Sequence, residues 1–413
     1  MKLDPKMHAW MCAPETRAVL DALTKDGGEA RFVGGVVRNA LLAREISDID
    51  IATPLTPEDV TKRLQAAGLG AVPTGIEHGT VTAISNGKPF EVTTLRRDVS
   101  TDGRRATVAF TKDWAEDARR RDFTMNALYA GADGEIFDSV GGVKDLKAGR
   151  VRFVGDPVTR IREDYLRILR LFRFHAWYGK GDLDSAGLRA AAAEKSGIAQ
   201  LSGERIQKEL LRLLEAENPV PVLRSMAASG ILGEILPGDL NIARLERLVA
   251  IDGGNFFTPD GVLRLAALLP GDVAAVRVVA DRLKLSNADR ERLIDLSTAT
   301  ERIVSYLSIR EVRKLLYRLG TARFKARTFL RWAEDPKPSN YIQWRALLAM
   351  ADAWERPVFP LTGREVMHAG VPEGPLVGRI LSEVEDWWID SDFTDDEFSL
   401  AERLKAVVQA TAY

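Results

Sequence analysis

Residues 31–53 read RFVGGVVRNALLAREISDIDIAT. The pattern predicts a strand over Arg31–Val33, a turn at Gly34 and Gly35, a short helix carrying Arg38, and a second strand beginning at Asp48. Asp48 and Asp50 lie two apart on that strand. A period of two sends both carboxylates to one face, and Ile49 and Ile51 bury the other. Carboxylates that share a face repel each other unless a cation lies between them. Mg²⁺ suits such a pair, because it takes carboxylate oxygen and keeps room for phosphate oxygens. Gly34 and Gly35 let a phosphate approach the backbone, and Arg38 adds positive charge there. Taken singly, an Asp-x-Asp is a weak signal and a Gly-Gly pair is usually only a turn. Within one short stretch the two converge on metal-assisted nucleotidyl transfer.

A chain of 413 residues is too long for one core, so two to four domains are expected. Charged residues make up 28% and hydrophobic ones 46%, as in an ordinary globular protein. The net charge of −1 means that any basic surface for nucleic acid must be local. The single cysteine, Cys12, excludes an internal disulfide and a cysteine-rich zinc site. Four histidines, at 8, 78, 175 and 368, make a histidine-rich metal centre unlikely. No apolar run approaches a membrane span, and MKLDPKMHAWMC lacks a signal-peptide core, so a cytoplasmic protein is expected.

Working outward from residues 31–53, a helix over 14–28 precedes the first strand, and Thr56-Pro57-Glu58 opens another after the second. GTVTAIS and PFEVTTL flank Asn86-Gly87, a strong hairpin signal. Glu91 lies on the second of these strands, either as a third carboxylate facing Asp48 and Asp50 or as a solvated strand residue. His78 reads as a turn residue that organises the hairpin. Residues 98–107, DVSTDGRRAT, read as a mobile polar loop carrying Arg104 and Arg105. The run Arg119-Arg120-Arg121-Asp122 abuts apolar Phe123 and Met125 and so partly faces a cleft. From Gly155 strand signals nearly vanish. Gly155-Asp156-Pro157 starts a helix that runs to Gly179, with Ile161, Tyr165, Ile168, Leu169 and Phe172 as its apolar stripe. Arg150, Arg152, Arg160, Arg162, Arg167, Arg170 and Arg173 form the local positive patch that net charge hides. Helical patterns continue to the end, and the acidic residues of 383–397 argue against phosphate contact there.

The chain resembles the bacterial class II tRNA nucleotidyltransferase (CCA-adding enzyme) and poly(A) polymerase family. FVGGVVRNALL with DIDIAT, GIEHGTV, FEVTTLRRD, RRRDFTMNAL, FDSVGGVKDL, VGDPVTRIREDYLRILRLFRF and SGERIQKEL carry the resemblance over residues 30–215, and LTGREVMHAGVPEGPLVG extends it more weakly. Asn39 departs from the family, which usually has Asp there, and the change is expected to weaken the orientation of Arg38. The resemblance implies an α+β fold: a nucleotidyltransferase head with a mixed sheet over 1–150, then an all-helical neck over 151–230, body over 231–335 and tRNA-binding tail over 336–413. It implies template-independent addition of C, C and A to a tRNA 3′ end from CTP and ATP, with two Mg²⁺ at the site and no membrane or obligate protein partner. A poly(A) polymerase, or an enzyme adding only part of CCA, is the alternative within the family. A decayed, non-catalytic RNA-binding head is the alternative outside it.

The family's positions fall here on Gly35 and Arg38 for phosphate, Asp48 and Asp50 for metal and catalysis, and Arg121, with Arg120 second, for the R-R-D-F arginine. Its E-D-x-x-R motif falls on Glu163, Asp164 and Arg167, with Arg170 and Arg173 in later turns. Phosphoryl transfer needs positioning and charge neutralisation above all. Arg38, Arg121, Arg170 and Arg173 are candidates to clamp the triphosphate, and Glu91 to bind metal or accept the hydroxyl proton. Asp164 only accepts hydrogen bonds and Arg167 only donates them. Cytosine and adenine both offer an amino donor beside a ring-nitrogen acceptor, whereas guanine and uracil reverse that pattern. Three residues apart on a helix, Asp164 and Arg167 are neighbours and could read it; the plainer alternative is an ordinary surface ion pair. Each step of three drifts the face by about 60°, so Arg173 should meet phosphate or RNA and not base.

Overall fold

Strand β1 (Arg31–Val33) sits between β2 (Asp50–Thr53) and β8 (Leu128–Ala130), antiparallel to both. The structure is a computed structural model. It describes every residue except 77–78, 103–104, 254–256, 336, 395 and 412–413, and only the backbone of 98–102, 105–108 and 338. The remaining strands of the sheet are β3 (Gly70–Gly75), β4 (Thr80–Ser85), β5 (Lys88–Thr94) and β9 (Ile136–Asp138). The order is β3-β4-β5-β2-β1-β8-β9, and the β2–β5 pair is parallel. A mixed sheet of this kind needs a crossover between β2 and β5, and α4 (Pro57–Ala66), capped by the Thr56 hydroxyl on Asp59 N–H, begins it. Asn86 and Gly87 both have positive φ, 49° and 78°, as the β4–β5 hairpin turn requires. Phe32, Ile51, Val81 and Val92 bury the inner face, under α4 and α2 (Pro14–Thr24), which follows the short α1 (Ala9–Cys12).

Two sequence expectations change here. Strand β2 begins at Asp50, so Asp48 precedes the strand, and Ile49 is half-buried where Ile51 is fully buried. The segment expected as a loop is a two-stranded ladder, β6 (Arg96–Asp102) with β7 (Arg105–Phe110). β-Branched Val99, Thr101, Thr107 and Val108 favour extended backbone there despite the polar composition. His78 and Arg104 lie outside the described residues, as does Asp395 of the acidic segment.

After the strands the chain is helical. The head closes with α3 (Gly35–Leu41), α5 (Trp114–Arg119) and α6 (Gly142–Ala148). Then come α7 (Pro157–Glu163), α8 (Leu166–Tyr178), α9 (Ser185–Ala193), α10 (Gly203–Leu214), α11 (Val220–Ala228) and α12 (Ile231–Ile235). The single helix expected to Gly179 is therefore two. Asp164 takes extended backbone, φ −158° and ψ 107°, between them. These elements belong to one compact unit, Met1–Gly238 with Asp281–Leu285; a second comprises Asp239–Ala280 and Ser286–Tyr413. The latter holds α13 (Ile242–Asp252), α14 (Gly261–Leu268), α15 (Val273–Arg282, ending in the first unit), α16 (Asn287–Ser297), α17 (Ile309–Leu319), α18 (Thr321–Glu334) and α19 (Tyr341–Asp352). It ends in α20 (Gly363–His368), α21 (Pro375–Asp390) and α22 (Glu397–Thr411). Its acidic residues are engaged within it: Asp386 with Arg318 at 2.8 Å, Asp392 with Arg313 at 2.7 Å, and Glu385 with the Tyr317 hydroxyl at 2.6 Å. Among the described residues no helix is long and apolar enough to cross a membrane.

Candidate active site

The turn after β1 is built on Gly34, whose φ of 69° suits glycine, and its N–H donates to the Leu128 carbonyl at 3.0 Å. A Cβ there would stand 3.5 Å from Arg121 Nη1 and from the Asn126 carbonyl, so the turn forms part of a cavity wall. Arg38, on the next helical turn, is 7% exposed, and each of its three side-chain nitrogens has a partner. Its Nη1 donates to Asn126 Oδ1 at 2.6 Å, Nη2 to the Tyr178 hydroxyl at 2.8 Å, and Nε and Nη2 to Asn39 Oδ1 at 3.1 and 3.0 Å. Asn39 thus supplies the acceptor that the expected loss of orientation assumed missing. Burial lowers the Arg38 pKa, with Tyr178 and Asp122 opposing.

Asp50 stands directly opposite Glu91 in the parallel β2–β5 register. Asp48, exposed and accepting from Ser47 Oγ at 2.8 Å, joins them along a cavity of about 490 Å³ that also touches Ile49, Thr82 and Pro89. The three carboxylates line one cavity, Asp48 from the loop before β2 and not from the strand as expected. Burial, then Glu91 and Asp48, push the Asp50 carboxyl up to about 6, against the pull of Arg121 and Arg38. The donor set is oxygen only, which suits a hard divalent cation that keeps substrate oxygens among its ligands. Among the described residues no group of three or more His, Cys, Asp or Glu side chains is placed to hold a metal ion, so any ion here would need ligands from the substrate.

Asp50 also borders a second cavity, of about 440 Å³, into which Gly34, Gly35, Arg38, Arg120 and Arg121 face from the head. Asp164, Arg167, Arg170 and Phe174 face it from the neck, and Arg205 from α10. Six arginines against three aspartates give this lining the sign of a polyanion's partner. Arg121 is fixed by Asp117, which is 1% exposed. Asp117 Oδ2 accepts from Arg121 Nη2 at 3.1 Å and from the Tyr129 hydroxyl at 2.6 Å, and Oδ1 from Arg120 Nε at 2.8 Å. A continuous chain then joins head to neck. Asn126 binds Arg38 and donates to Asp122 Oδ1 at 3.0 Å, and Arg170 Nε donates to Asp122 Oδ2 at 2.8 Å. Burial works to raise the Asp122 carboxyl, but Arg170 and these hydrogen bonds override it and hold it at about 2.

The neck corrects the helix-face argument. Asp164 lies at the break between α7 and α8, and Arg167 in the first turn of α8, so the two do not share a helix face. They take different partners: Asp164 Oδ2 accepts from Arg205 Nη2 at 2.7 Å, while Arg167 pairs with Glu163 and donates to the Arg160 carbonyl at 2.7 Å. Arg173 pairs with Glu209 and borders neither cavity, so it does not line the space where a triphosphate would sit, and the drift argued along one continuous helix does not apply across the break. The positive patch is largely compensated as well. Arg150 and Arg152 face Asp145, Arg160 and Arg167 face Glu163, Arg162 faces Glu194, Arg170 faces Asp122 and Arg173 faces Glu209. Asp117, Asp122, Asn126 and Arg205 went unnoticed as site residues. Asp122 and Asn126 stood in the quoted RRRDFTMNAL and Arg205 in SGERIQKEL, but nothing local in those stretches names their partners.

Residues 30–152 match the family described as Poly A polymerase head domain, and residues 183–239 that described as Probable RNA and SrmB- binding site of polymerase A. The chain is 33% identical over 424 residues to CCA tRNA nucleotidyltransferase 1, mitochondrial, of Mus musculus, covering 98% of this chain and 93% of that protein. It is 38% identical over 392 residues to the CCA-adding enzyme of Streptococcus gordonii, covering 92% and 94%. The chain belongs to the CCA-adding enzyme and poly(A) polymerase family. The crystal structure of Bacillus stearothermophilus CCA-adding enzyme in complex with CTP matches with a TM-score of 0.74 at 28% identity, covering 96% of this chain and 97% of that one. The α+β architecture, a mixed-sheet head followed by helices, is the family's.

Proposed function

We infer that this protein is a CCA tRNA nucleotidyltransferase, which adds C, C and A to the 3′ end of tRNA from CTP and ATP and releases pyrophosphate. The carrying observation is the match to CCA-adding enzymes over nearly the whole length of both chains. A poly(A) polymerase or partial adder would share the head, but the two relatives named above, which also match over the helical remainder, carry CCA-adding names. The reaction uses a divalent metal ion, for which we propose Mg²⁺, and we propose a cytoplasmic location.

In this reading Asp48 and Asp50 hold the metal, and Glu91 offers a further carboxylate to it or to the proton of the attacking 3′-hydroxyl. When bound, the ion neutralises charge on the attacking oxygen and on the leaving pyrophosphate. Gly35 lets the triphosphate approach the backbone. Arg38, Arg121 and Arg170 clamp it, and their hydrogen-bond chain through Asn126 and Asp122 supports a fixed geometry before substrate arrives. Asp164 accepts the exocyclic amino group of cytosine or adenine. Each carboxylate oxygen has two lone pairs, so the bonds from Arg205 and from Leu166 N–H leave acceptor capacity. Arg167 donates to the ring nitrogen. Guanine and uracil leave both groups unpaired, which is how such a site rejects strongly. Arg173, paired with Glu209 outside both cavities, would serve the site by holding α10 against α8.

The test is extension of tRNA lacking its 3′ CCA with CTP alone, ATP alone, or both. Two residues from CTP alone and a completed CCA with both are expected. Long A tails from ATP alone would overturn the reading.

A further inference from the structure

We propose that Arg205 is a positioning residue for nucleotide choice: it draws Asp164 away from Arg167, so that each meets the base and not the other. The inference rests on the base-reading role given above to Asp164 and Arg167. An acceptor and a donor of opposite charge, three residues apart in one cavity, face a hazard. Their attraction grows as water leaves, and an ion pair closed between them has nothing left with which to read a base. A site made from such a pair needs something that keeps it open.

The structure supplies a contact that does this. Asp164 is drawn to α10, where Arg205 Nη2 donates to its Oδ2 at 2.7 Å, while Oδ1 accepts from Leu166 N–H at 3.1 Å. Arg167 is drawn the other way, to Glu163 in the last turn of α7 and to the Arg160 carbonyl at 2.7 Å. The extended backbone at Asp164 separates the two pulls. Arg205 acts from a firm base, because Glu209, one turn further along α10, is 6% exposed and pairs with Arg173 and, at 3.6 Å, with Arg170. The same helix therefore fixes both Asp164 and the arginines of α8. Removing Arg205 frees the Asp164 carboxylate to turn toward Arg167. A residue that only clamped phosphate would, when lost, weaken all four nucleotides alike, since the triphosphate is common to them.

The test is single-nucleotide addition to truncated tRNA by the full chain, measuring kcat and KM separately for CTP, UTP, ATP and GTP. Arg205→Ala is expected to cut the preference for CTP over UTP about tenfold, mainly through the KM for CTP. Arg205→Lys, which keeps a charge within reach of Asp164, restores most of it. Asp164→Ala is measured beside them, and adding Arg205→Ala to it should relax choice no further. If Asp164→Ala relaxes choice and Arg205→Ala lowers all four nucleotides equally, the positioning role is overturned and base reading stands. If Asp164→Ala leaves the preference unchanged, both fall. Thermal melts accompany each variant. Should Arg205→Ala fail to fold, Arg205→Gln against Arg205→Lys gives the same comparison, and equal preference in those two overturns the inference.

Discussion

The carboxylate edge of the head and the arginine cluster of the neck meet at one cavity, through Asp50 on one side and Arg167 and Arg170 on the other, and treat charge in opposite ways. At the edge, Asp50 and Glu91 face each other across a parallel register, and among the described residues no hydrogen bond or ion pair reaches either carboxylate. In the neck, arginines 160, 162, 167, 170 and 173 each have a carboxylate partner. The edge holds repulsion in reserve, which a cation bound there would relieve. The neck is settled beforehand, so a nucleotide bound there would find its donors already aimed. Binding at the edge should thus couple strongly to pH and metal, while binding in the neck should depend on shape and hydrogen-bond pattern. This is the division a template-free polymerase needs, since chemistry is common to C and A and choice is not.

The largest effect expected at the edge comes from Asp50→Asn. Losing metal hold removes several kcal/mol of transition-state stabilisation, so single-turnover addition should fall about 10³-fold. Its melting temperature in the absence of metal should be no lower than that of the parent, because a repelling charge has gone. Activity within tenfold of the parent would show that Asp50 does not hold the ion. A marked drop in melting temperature would show that the edge is not under repulsion.

The settled side should respond in the reverse sense. Asp117→Ala removes a carboxylate that is 1% exposed and accepts from Arg120, Arg121, the Tyr129 hydroxyl and, at 3.1 Å, from Arg96 N–H. Breaking a buried pair on one side leaves the arginines uncompensated and should lower the unfolding free energy by about 3–5 kcal/mol in a denaturant titration. Activity should fall too, since Arg121 loses its orientation. A stable variant would mean that the arginines find water at once.

The pH dependence sharpens the contrast between Asp50 and Asp122. Asp50 ionises near 3.8 when unfolded and near 6 when folded. Its folded form holds the proton more tightly, so the stability it contributes is present below about pH 4 and lost as pH rises through 6. Asp122, held at about 2, contributes above the unfolded value near 3.8 and loses that as pH falls toward 2. Between pH 5 and 7 only the first should move. The melting temperature of the metal-free parent, relative to Asp50→Asn, should therefore fall across that range, and Mg²⁺ should bind more tightly as pH rises to about 6. A flat difference between the two proteins would refute the shifted carboxyl.

The legible parts were those written in local pattern. The Asn86-Gly87 hairpin and the glycine turn before Arg38 follow from turn chemistry, which acts over a few residues; the register that sets Asp50 opposite Glu91 does not, and Asp48 reaches their cavity from a loop that a period of two did not foresee. The break at Asp164 was not legible. Ile161, Tyr165, Ile168 and Phe172 keep a helical period straight through it, and the extended backbone is tied to a contact with Arg205, 41 residues on. The ladder of residues 96–110 was hidden by its polar composition, which resembles a loop although its β-branched residues favour strands. Partners such as Asp117 for Arg121 and Glu209 for Arg173 depend on how helices pack, which no spacing within one element encodes.

The smallest expected effect tests the position where the two regions meet. Asn39 lies between the glycine turn and the neck: its Oδ1 accepts twice from Arg38, whose Nη2 also reaches Tyr178 of α8, and its Nδ2 donates to the Glu45 carbonyl at 2.9 Å. Asn39→Asp would make both bonds to Arg38 charge-assisted, which strengthens them. It would also leave the Glu45 carbonyl without its donor and set a carboxylate against it, at a cost of similar size. The two terms oppose, so kcat/KM for CTP and ATP should change by no more than about threefold, less than 1 kcal/mol. A tenfold gain would mean that Arg38 is poorly held by an amide and that the cavity is less settled than its distances imply. A tenfold loss would mean that the Glu45 contact, and with it the loop leading to Asp48, matters more to catalysis than the Arg38 fork.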